Sequence, residues 1–364
     1  MIQFQKLPVP LANLMSNGAV LMKKREIEDW LTSGRVGPDP QFPDYWNRND
    51  VRGALIAQQG LVCAWCQQQL KVLSKETTVD HFRPKDYTKP NPKLHRPADP
   101  HTGYPWLAYE WDNLLLACSD CNSFKGTKFP LADETRRVDE QTRNQIDKEQ
   151  PLILNPTTDD LEETFQLELQ DNSPFHQFKV NKSHPNHLAV RETLECFHLN
   201  GSGRPEFFQE RQKAIEAQLK AIENSDDDAC RLNASSFRPY SKVARLVLLR
   251  HNATNLIPKE EDELFYLLTD LWAMLKQTED HMAFFLRDAN TPETKKSTKA
   301  IYTKRLGRIR EAFAVLCFCH PLKMLATRYT KKHLSAESQK AIERYKKKLA
   351  KNQTSLAPAA QQGP

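Results

Sequence analysis

The chain has 364 residues, more than one small core normally organises, so we expect two or three domains. Only 11 residues are glycine and good helix formers are plentiful, so long glycine-rich loops are not expected and helix should dominate. The formal charge is +6, from 52 Lys and Arg against 46 Asp and Glu, so nucleic-acid affinity would have to come from local clustering of basic residues.

The composition also bears on the cellular compartment. No run approaches the roughly eighteen apolar residues needed to cross a bilayer, and the first residues do not form a signal peptide. We therefore expect a cytoplasmic protein without a membrane partner. In a reducing compartment cysteines are better explained by metal binding and burial than by disulfides, and the eight cysteines are at positions 63, 66, 118, 121, 196, 230, 317 and 319.

The first part of the chain, residues 1–57, is predicted as a helical lead-in. It contains a helix around "MKKREIEDWL", a proline-rich turn, and a second helix in "RNDVRGALIAQQG" that delivers the chain to the first cysteine pair. Residues 58–156 differ in composition, with both Cys-x-x-Cys pairs and a long polar connection over 83–105. A connection of that length in a compact domain is usually functional or disordered.

The segments beyond this domain are predicted to be mostly helical. "QPLILNP" is either a strand or a packed tail, and "ETFQLELQ" alternates like a strand. Two helices complete an extension over 157–225, and apolar residues at helical spacing predict a helical C-terminal domain over 226–350. Residues 351–364 contain little to bury and are predicted to be disordered.

The C-terminal domain carries two basic clusters. They could form a groove for a phosphate backbone, a solvated helix face, or a surface for an acidic partner. The second cluster covers 340–351, and the first consists of Lys295, Lys296, Lys299, Lys304, Arg305, Arg308 and Arg310.

The two cysteine pairs, Cys63 with Cys66 and Cys118 with Cys121, predict one tetrahedral structural zinc site. On their own they are compatible with a zinc staple that does no chemistry. The residues around the two pairs determine whether the zinc site is only structural or is part of an active site.

Several residues that could bind a metal ion, transfer a proton or contact a phosphate lie near the two cysteine pairs. "TTVDH" predicts a strand that ends at Asp80 and His81, and "NLLLAC" predicts a second strand after Asn113. A helical turn beginning at the second pair places Asn122 and Lys125 on one face. An isolated Asp-His dipeptide is usually structural, so the prediction of an active site rests on these residues occurring together.

The series Cys-x-x-Cys, Asp-His, Asn, Cys-x-x-Cys-Asn over about 61–130 resembles the HNH nuclease family with its ββα-metal fold. The resemblance implies that His81 is the general base and that Asp80 and Asn122 bind one divalent ion. It also implies that Asn113 fixes the loop that orients the base. Asparagine stands at position 122 where many members have histidine, which favours Mg²⁺ or Mn²⁺ over softer ions.

Two lysines are candidates for contact with the substrate phosphate. Lys125 and Lys85 each lie three or four residues from a predicted catalytic position. The expected fold is therefore α+β, with a small zinc-stapled ββα-metal nuclease core embedded in a mainly α-helical protein.

A wider likeness covers about 60–205. "HFRPK", "YPWLAYEWDNLLLACSDCN" and "TLECFHLNG" resemble HNH nuclease subunits of Septu-type anti-phage systems, some of them encoded beside retrons. The resemblance implies DNA as substrate and an SMC-like or ABC-type ATPase as companion subunit. A non-catalytic zinc-ribbon binding module and an RNA-cleaving nuclease remain alternatives, and an oligomer is left open.

Overall fold

The computed structural model describes residues 18–36, 39–71, 77–86, 103–159, 165–168, 177–201, 203–289 and 291–354. These residues form a mainly helical protein with two small sheets, each of two antiparallel strands, which confirms the α+β class. Residues 87–102 of the predicted polar connection and 355–364 of the predicted tail lie outside the described residues, as do residues 1–17.

Among the described residues, two helices precede the first cysteine pair, as predicted. Helix α1 spans Gly18–Thr32 and α2 spans Asn49–Gln59, with a 3-10 turn at Tyr45–Asn47 between them. Every residue of α2 from Val51 onward is buried, because this helix lies between the first sheet and the C-terminal helices. The predicted lead-in therefore ends in a core helix.

The first sheet is formed by β1 (Thr77–His81) and β2 (Leu114–Cys118), with Thr77 opposite Cys118 and His81 opposite Leu114. Helix α3 (Ser119–Lys125) begins directly after β2. The two strands and the helical turn agree with the sequence predictions, and the residues of β2 are all buried.

The second sheet pairs β3 (Phe165–Glu168) with β4 (Gln177–Val180). The strand predicted in "ETFQLELQ" is confirmed for its described part. In "QPLILNP" only Pro151 makes an isolated bridge, to Leu131, while the apolar residues that follow are buried. Of the two structures predicted for this segment, the packed tail is the one observed.

The rest of the described chain is mainly helical. Its helices are α4 (His187–Cys196), α5 (Pro205–Glu223), α6 (Asp227–Ala234), α7 (Ser241–Arg250), α8 (Glu260–Asp288), α9 (Pro292–Cys319), α10 (Lys323–His333) and α11 (Ala336–Thr354). Helix α9 lies at the centre of the C-terminal part and packs against α2, α8, α10 and α11. Helix α11 continues to Thr354, so residues 351–354 are helical and not part of a disordered tail.

The main hydrophobic core is one continuous cluster that runs from Val20 in α1 to Leu349 in α11 and includes both cysteine pairs. A smaller cluster lies beneath α6 and α7. The main cluster contains residues from each of the four predicted segments between 1 and 350, and their division into domains stays a prediction. None of the described helices has the length and apolar character that spanning a bilayer requires.

Candidate active site and zinc centre

The two cysteine pairs meet where the chain enters β1 and leaves β2. The Sγ atoms of Cys63, Cys66, Cys118 and Cys121 all lie within 4.8 Å of one another, and all four residues are buried. Sulfurs bound at about 2.3 Å around a tetrahedral zinc are about 3.8 Å apart. The Sγ atoms of Cys66 and Cys118 are 3.8 Å apart. The donor set and its spacing thus fit a structural zinc ion.

Arg204, just before α5, places a cation against this cluster. Its guanidinium lies 3.5 Å from the Sγ atoms of both Cys121 and Cys66 and is almost completely buried. Burial alone would lower the pKa of Arg204, but the thiols reverse that effect and raise it. Four thiolates around one divalent ion carry excess negative charge, which this guanidinium offsets. Sequence reasoning missed Arg204 because it lies 138 residues from Cys66 and belongs to no motif.

Asp80, the penultimate residue of β1, is buried and both of its carboxylate oxygens are hydrogen-bonded. Trp65 donates its indole N–H to Oδ2 at 2.9 Å, and the Lys125 ammonium lies 3.2 Å from Oδ1. Burial raises the pKa of Asp80, and Lys125 opposes this rise. Because Trp65 stands between the two cysteines of the first pair, it connects the thiol cluster to the carboxylate.

The position of Lys125 does not match its predicted role as a phosphate contact, because the side chain is buried. Its side chain is 1% exposed, and its ammonium also donates to the backbone carbonyl of His81 at 2.6 Å. The ammonium is therefore used inside the protein, where it ties α3 to the end of β1. The i, i+3 spacing relates Lys125 to Asn122 on the helix, but it cannot show that this part of α3 faces the interior.

His81 ends β1 with its imidazole in a defined orientation. Nε2 lies 2.8 Å from the carbonyl oxygen of Ala108, which can only accept, so Nε2 carries the proton and Nδ1 has a free lone pair. The Trp46 ring meets the imidazole edge-on at 4.7 Å. Burial lowers the pKa of His81 to about 4, so the ring is neutral near pH 7.

Asn113, directly before β2, braces the chain that follows His81. Its side-chain oxygen accepts from the backbone N–H of Arg83 at 2.7 Å, and its amide nitrogen donates to the carbonyls of Arg83 and Leu107. These contacts hold together the loop after β1 and the turn before β2. They are the kind of contacts that the predicted loop-fixing role requires.

Lys85 and Asn122 lie at the more open side of the same region. The Lys85 ammonium pairs with Asp86 and lies over the rings of Phe42 and Trp46, at 4.9 and 5.6 Å. Asn122 is half-buried in α3, and its side-chain amide has no hydrogen-bond partner among the described residues. The Asn122 amide therefore remains available to a ligand, whereas the Lys85 ammonium already has Asp86 as its ion-pair partner.

The fit of a catalytic ion is less complete than the fit of zinc. Asp80 and Asn122 offer oxygen ligands of the kind that Mg²⁺ and Mn²⁺ prefer. However, an ion bound to Oδ1 of Asp80 would share that atom with the Lys125 ammonium. A carboxylate oxygen has more than one lone pair, so Oδ1 could bind an ion and still accept from Lys125. The Lys125 ammonium would only have to shift to make room for the ion.

Comparison with known proteins finds similarity to the Septu proteins PtuB and PtuA. Septu protein PtuB of Bacillus mycoides (strain KBAB4) is 28% identical over 230 residues, which cover 62% of this chain and 71% of that protein. The chain is similar to Septu proteins. PtuB of Bacillus thuringiensis is 25% identical over 226 residues, or 62% of this chain and 68% of that protein.

A shorter similarity links the chain to Septu protein PtuA of Bacillus mycoides (strain KBAB4). It amounts to 28% identity over 120 residues, which is 33% of this chain and 16% of PtuA. No family model and no solved structure matches the chain. The similarity to Septu proteins therefore rests on the curated relatives.

Proposed function

We propose that this chain is a metal-dependent HNH-type endonuclease that hydrolyses DNA phosphodiester bonds. The observation that carries the proposal is the state of His81, whose Nε2 is committed to the Ala108 carbonyl while Nδ1 keeps a lone pair. A neutral imidazole held in one tautomer is what a general base at neutral pH requires.

The fold around His81 supports the same assignment. An antiparallel pair of strands is followed at once by a helix, and Cys118 of the cysteine cluster lies at the other end of the pair from His81, opposite Thr77. The base ends the first strand, the bracing Asn113 precedes the second, and Asn122 lies in the helix. This order is the one that the resemblance to ββα-metal nucleases implies.

The proposed chemistry follows from the charge of the substrate. A phosphodiester repels hydroxide, so hydrolysis needs a base that makes the nucleophile from water and a cation near the developing negative charge. His81 takes the proton from the attacking water at Nδ1, and Asn113 and Trp46 hold the ring and its loop in place. A divalent ion held by Asp80 and Asn122 would supply the positive charge at the phosphate. Lys85 is the remaining candidate lysine, and it would contact that phosphate by exchanging its pairing with Asp86.

Similarity to PtuB supports the biological setting of the proposal. We place the chain in anti-phage defence as the effector nuclease of a Septu-type system. The resemblance implies an SMC-like or ABC-type ATPase as its companion, and the similarity to PtuA is consistent with a two-component system.

The direct test is cleavage of supercoiled plasmid with Mg²⁺ or Mn²⁺, with and without the companion ATPase. His81→Ala should reduce cleavage by about 10²- to 10⁴-fold, the usual contribution of a general base, while the zinc content stays unchanged and the protein still folds. The matched control is His251→Ala, an exposed histidine after α7, which should cleave like the unaltered protein. Equal cleavage by His81→Ala would reject the mechanism, and cleavage of RNA in preference to DNA would reject the substrate.

A non-catalytic zinc module is the second candidate function, and one observation favours it. Both oxygens of Asp80 are occupied within the protein, as in a residue kept for structure. This candidate predicts that His81→Ala retains all biological activity. The combination of His81 at the end of β1, Asn113 before β2 and Asn122 in α3 argues for the nuclease instead.

A further inference from the structure

A groove lies away from the strand end, where α9, α11 and the start of α2 meet. It measures about 550 Å³. Its lining combines three lysines with neutral polar groups, and includes Asn49, Lys296, Lys299, Thr303, Lys304 and Tyr345.

The three lysines of this groove differ from the other basic residues nearby. Within the described parts of the chain, Lys296, Lys299 and Lys304 are exposed and none forms an ion pair with a carboxylate. Further along α9, in contrast, Arg310 pairs with Glu279 at 3.1 Å. Asp50, the acid next to the groove, already pairs with Arg48 and Lys348. The groove therefore carries uncompensated positive charge.

The spacing of the lysines matches a regular polyanion. From Lys296 to Lys304 the helix rises about 12 Å, at 1.5 Å per residue. This length corresponds to about three or four base-pair steps, at about 3.4 Å per step along each strand. Lysine ammonium groups and neutral donors suit phosphate oxygens, and they do not read base edges.

The lining also distinguishes a duplex from a single strand. Binding of single-stranded nucleic acid usually relies on several aromatic side chains that stack on the bases. Tyr345 is the one aromatic residue of this lining. A groove of point charges with one aromatic residue is suited to the outside of a double helix.

The groove is held at a short distance from the proposed active site. Asn49 begins α2 and lies three residues after Trp46, so their Cα atoms are at most about 11 Å apart. Trp46 contacts His81, and Arg52 of the same helix donates to the backbone carbonyl of Thr77 at the start of β1. One helix therefore contributes to the groove and supports the strand that carries His81.

We propose that this groove binds the phosphate backbone of double-stranded DNA and leads it toward His81. The inference rests on the proposed nuclease function and specifies where its substrate is held. It predicts affinity that depends strongly on salt and weakly on sequence, because the contacts are made to phosphates.

The test is binding of a fluorescently labelled DNA duplex to the full chain, measured by anisotropy without added divalent metal between 50 and 200 mM salt. The triple variant Lys296→Gln, Lys299→Gln, Lys304→Gln should weaken binding on the order of 10²-fold at 100 mM salt, and should flatten the slope of log Kd against log salt by about 2.7. The matched control is Lys323→Gln, Lys331→Gln, Lys332→Gln, which removes the same charge from exposed positions of α10. It should bind like the unaltered protein.

The outcomes separate this proposal from the proposed function. Groove-dependent binding together with an absence of cleavage under all metal conditions would support the groove and reject the nuclease. Cleavage that depends on His81 but is identical in the groove variant would reject the groove and leave the nuclease in place. Equal binding by both triple variants, or stronger groove-dependent binding of RNA, would overturn the proposal. So would loss of ATPase binding with DNA binding retained.

Discussion

At the scale of single residues, the main surprise is the pair formed by Asp80 and Lys125. Both side chains are almost fully buried, and the ammonium also bonds to the carbonyl of His81. Removal of one member of a buried ion pair leaves the other charge without a partner in a low-dielectric interior. The pair therefore couples the stability of the strand end to the position of a proposed metal ligand.

We expect Lys125→Met to lower the free energy of unfolding by about 3–5 kcal/mol, because the Asp80 carboxylate would be left unpaired. Lys128→Met is the matched control, since Lys128 is exposed and lies just beyond α3, and it should change stability little. Urea denaturation followed by circular dichroism measures both. The double variant with Asp80→Asn should recover part of the loss, and an unchanged midpoint for Lys125→Met would contradict the pairing.

At the scale of elements, the contact between α2 and α9 positions both the strand end and the basic groove. The helices lie close together at Gly53. A Cβ atom there would lie 2.8 Å from the Cβ of Glu311 and 3.1 Å from the backbone oxygen of Arg308. Only a residue without a side chain permits this approach, so the packing of the two helices depends on that glycine.

Gly53→Ala should lower the free energy of unfolding by about 1–3 kcal/mol, because the added methyl group overpacks the helix contact. Gly307→Ala is a suitable control within α9. Its Cβ would meet only the Tyr345 hydroxyl, at the ordinary distance of 3.5 Å, so the substitution should be neutral or stabilising. Thermal melting of the two variants side by side provides the test. If Gly53→Ala melts at or above the temperature of Gly307→Ala, the close approach is not as described.

At the scale of the whole molecule, the thiol cluster is part of the main core and not an appendage. The hydrophobic cluster that contains the cysteine pairs extends from α1 to α11. Arg204 adds a contact from the segment before α5 to the same sulfurs. Loss of zinc should therefore destabilise the whole core, including helices far from the two cysteine pairs.

Cys63→Ser should abolish stoichiometric zinc binding and lower the melting temperature of the whole chain in one transition, since the ligand set closes only with four thiolates. Cys196→Ser, which alters a cysteine outside the cluster, should retain zinc. Metal analysis and calorimetry check both variants. Retained zinc with native melting of Cys63→Ser would refute the four-sulfur site, and loss of only a small early transition would refute the shared core.

The local features of the site could be predicted from the sequence. The two strands, the turn into α3 and the meeting of the cysteine pairs follow from short-range preferences and from ligand spacing. The same patterns placed Asp80, His81 and Asn113 at or beside strand ends, where the structure has them. These features depend on neighbours within a few residues, which is the range over which sequence patterns carry information.

Other features were decided by tertiary structure. Sequence periodicity places Lys125 on a helix face, but only packing determines that this face is buried against Asp80. Arg204 meets the thiols, and Asn49 accepts a hydrogen bond from Arg308 of α9, across long separations in the chain. Such contacts depend on how the helices pack, and no local pattern encodes them. The sequence by itself thus determined the types of residue at the site and their local geometry, while the fold decided which of their groups are buried, paired or free to act.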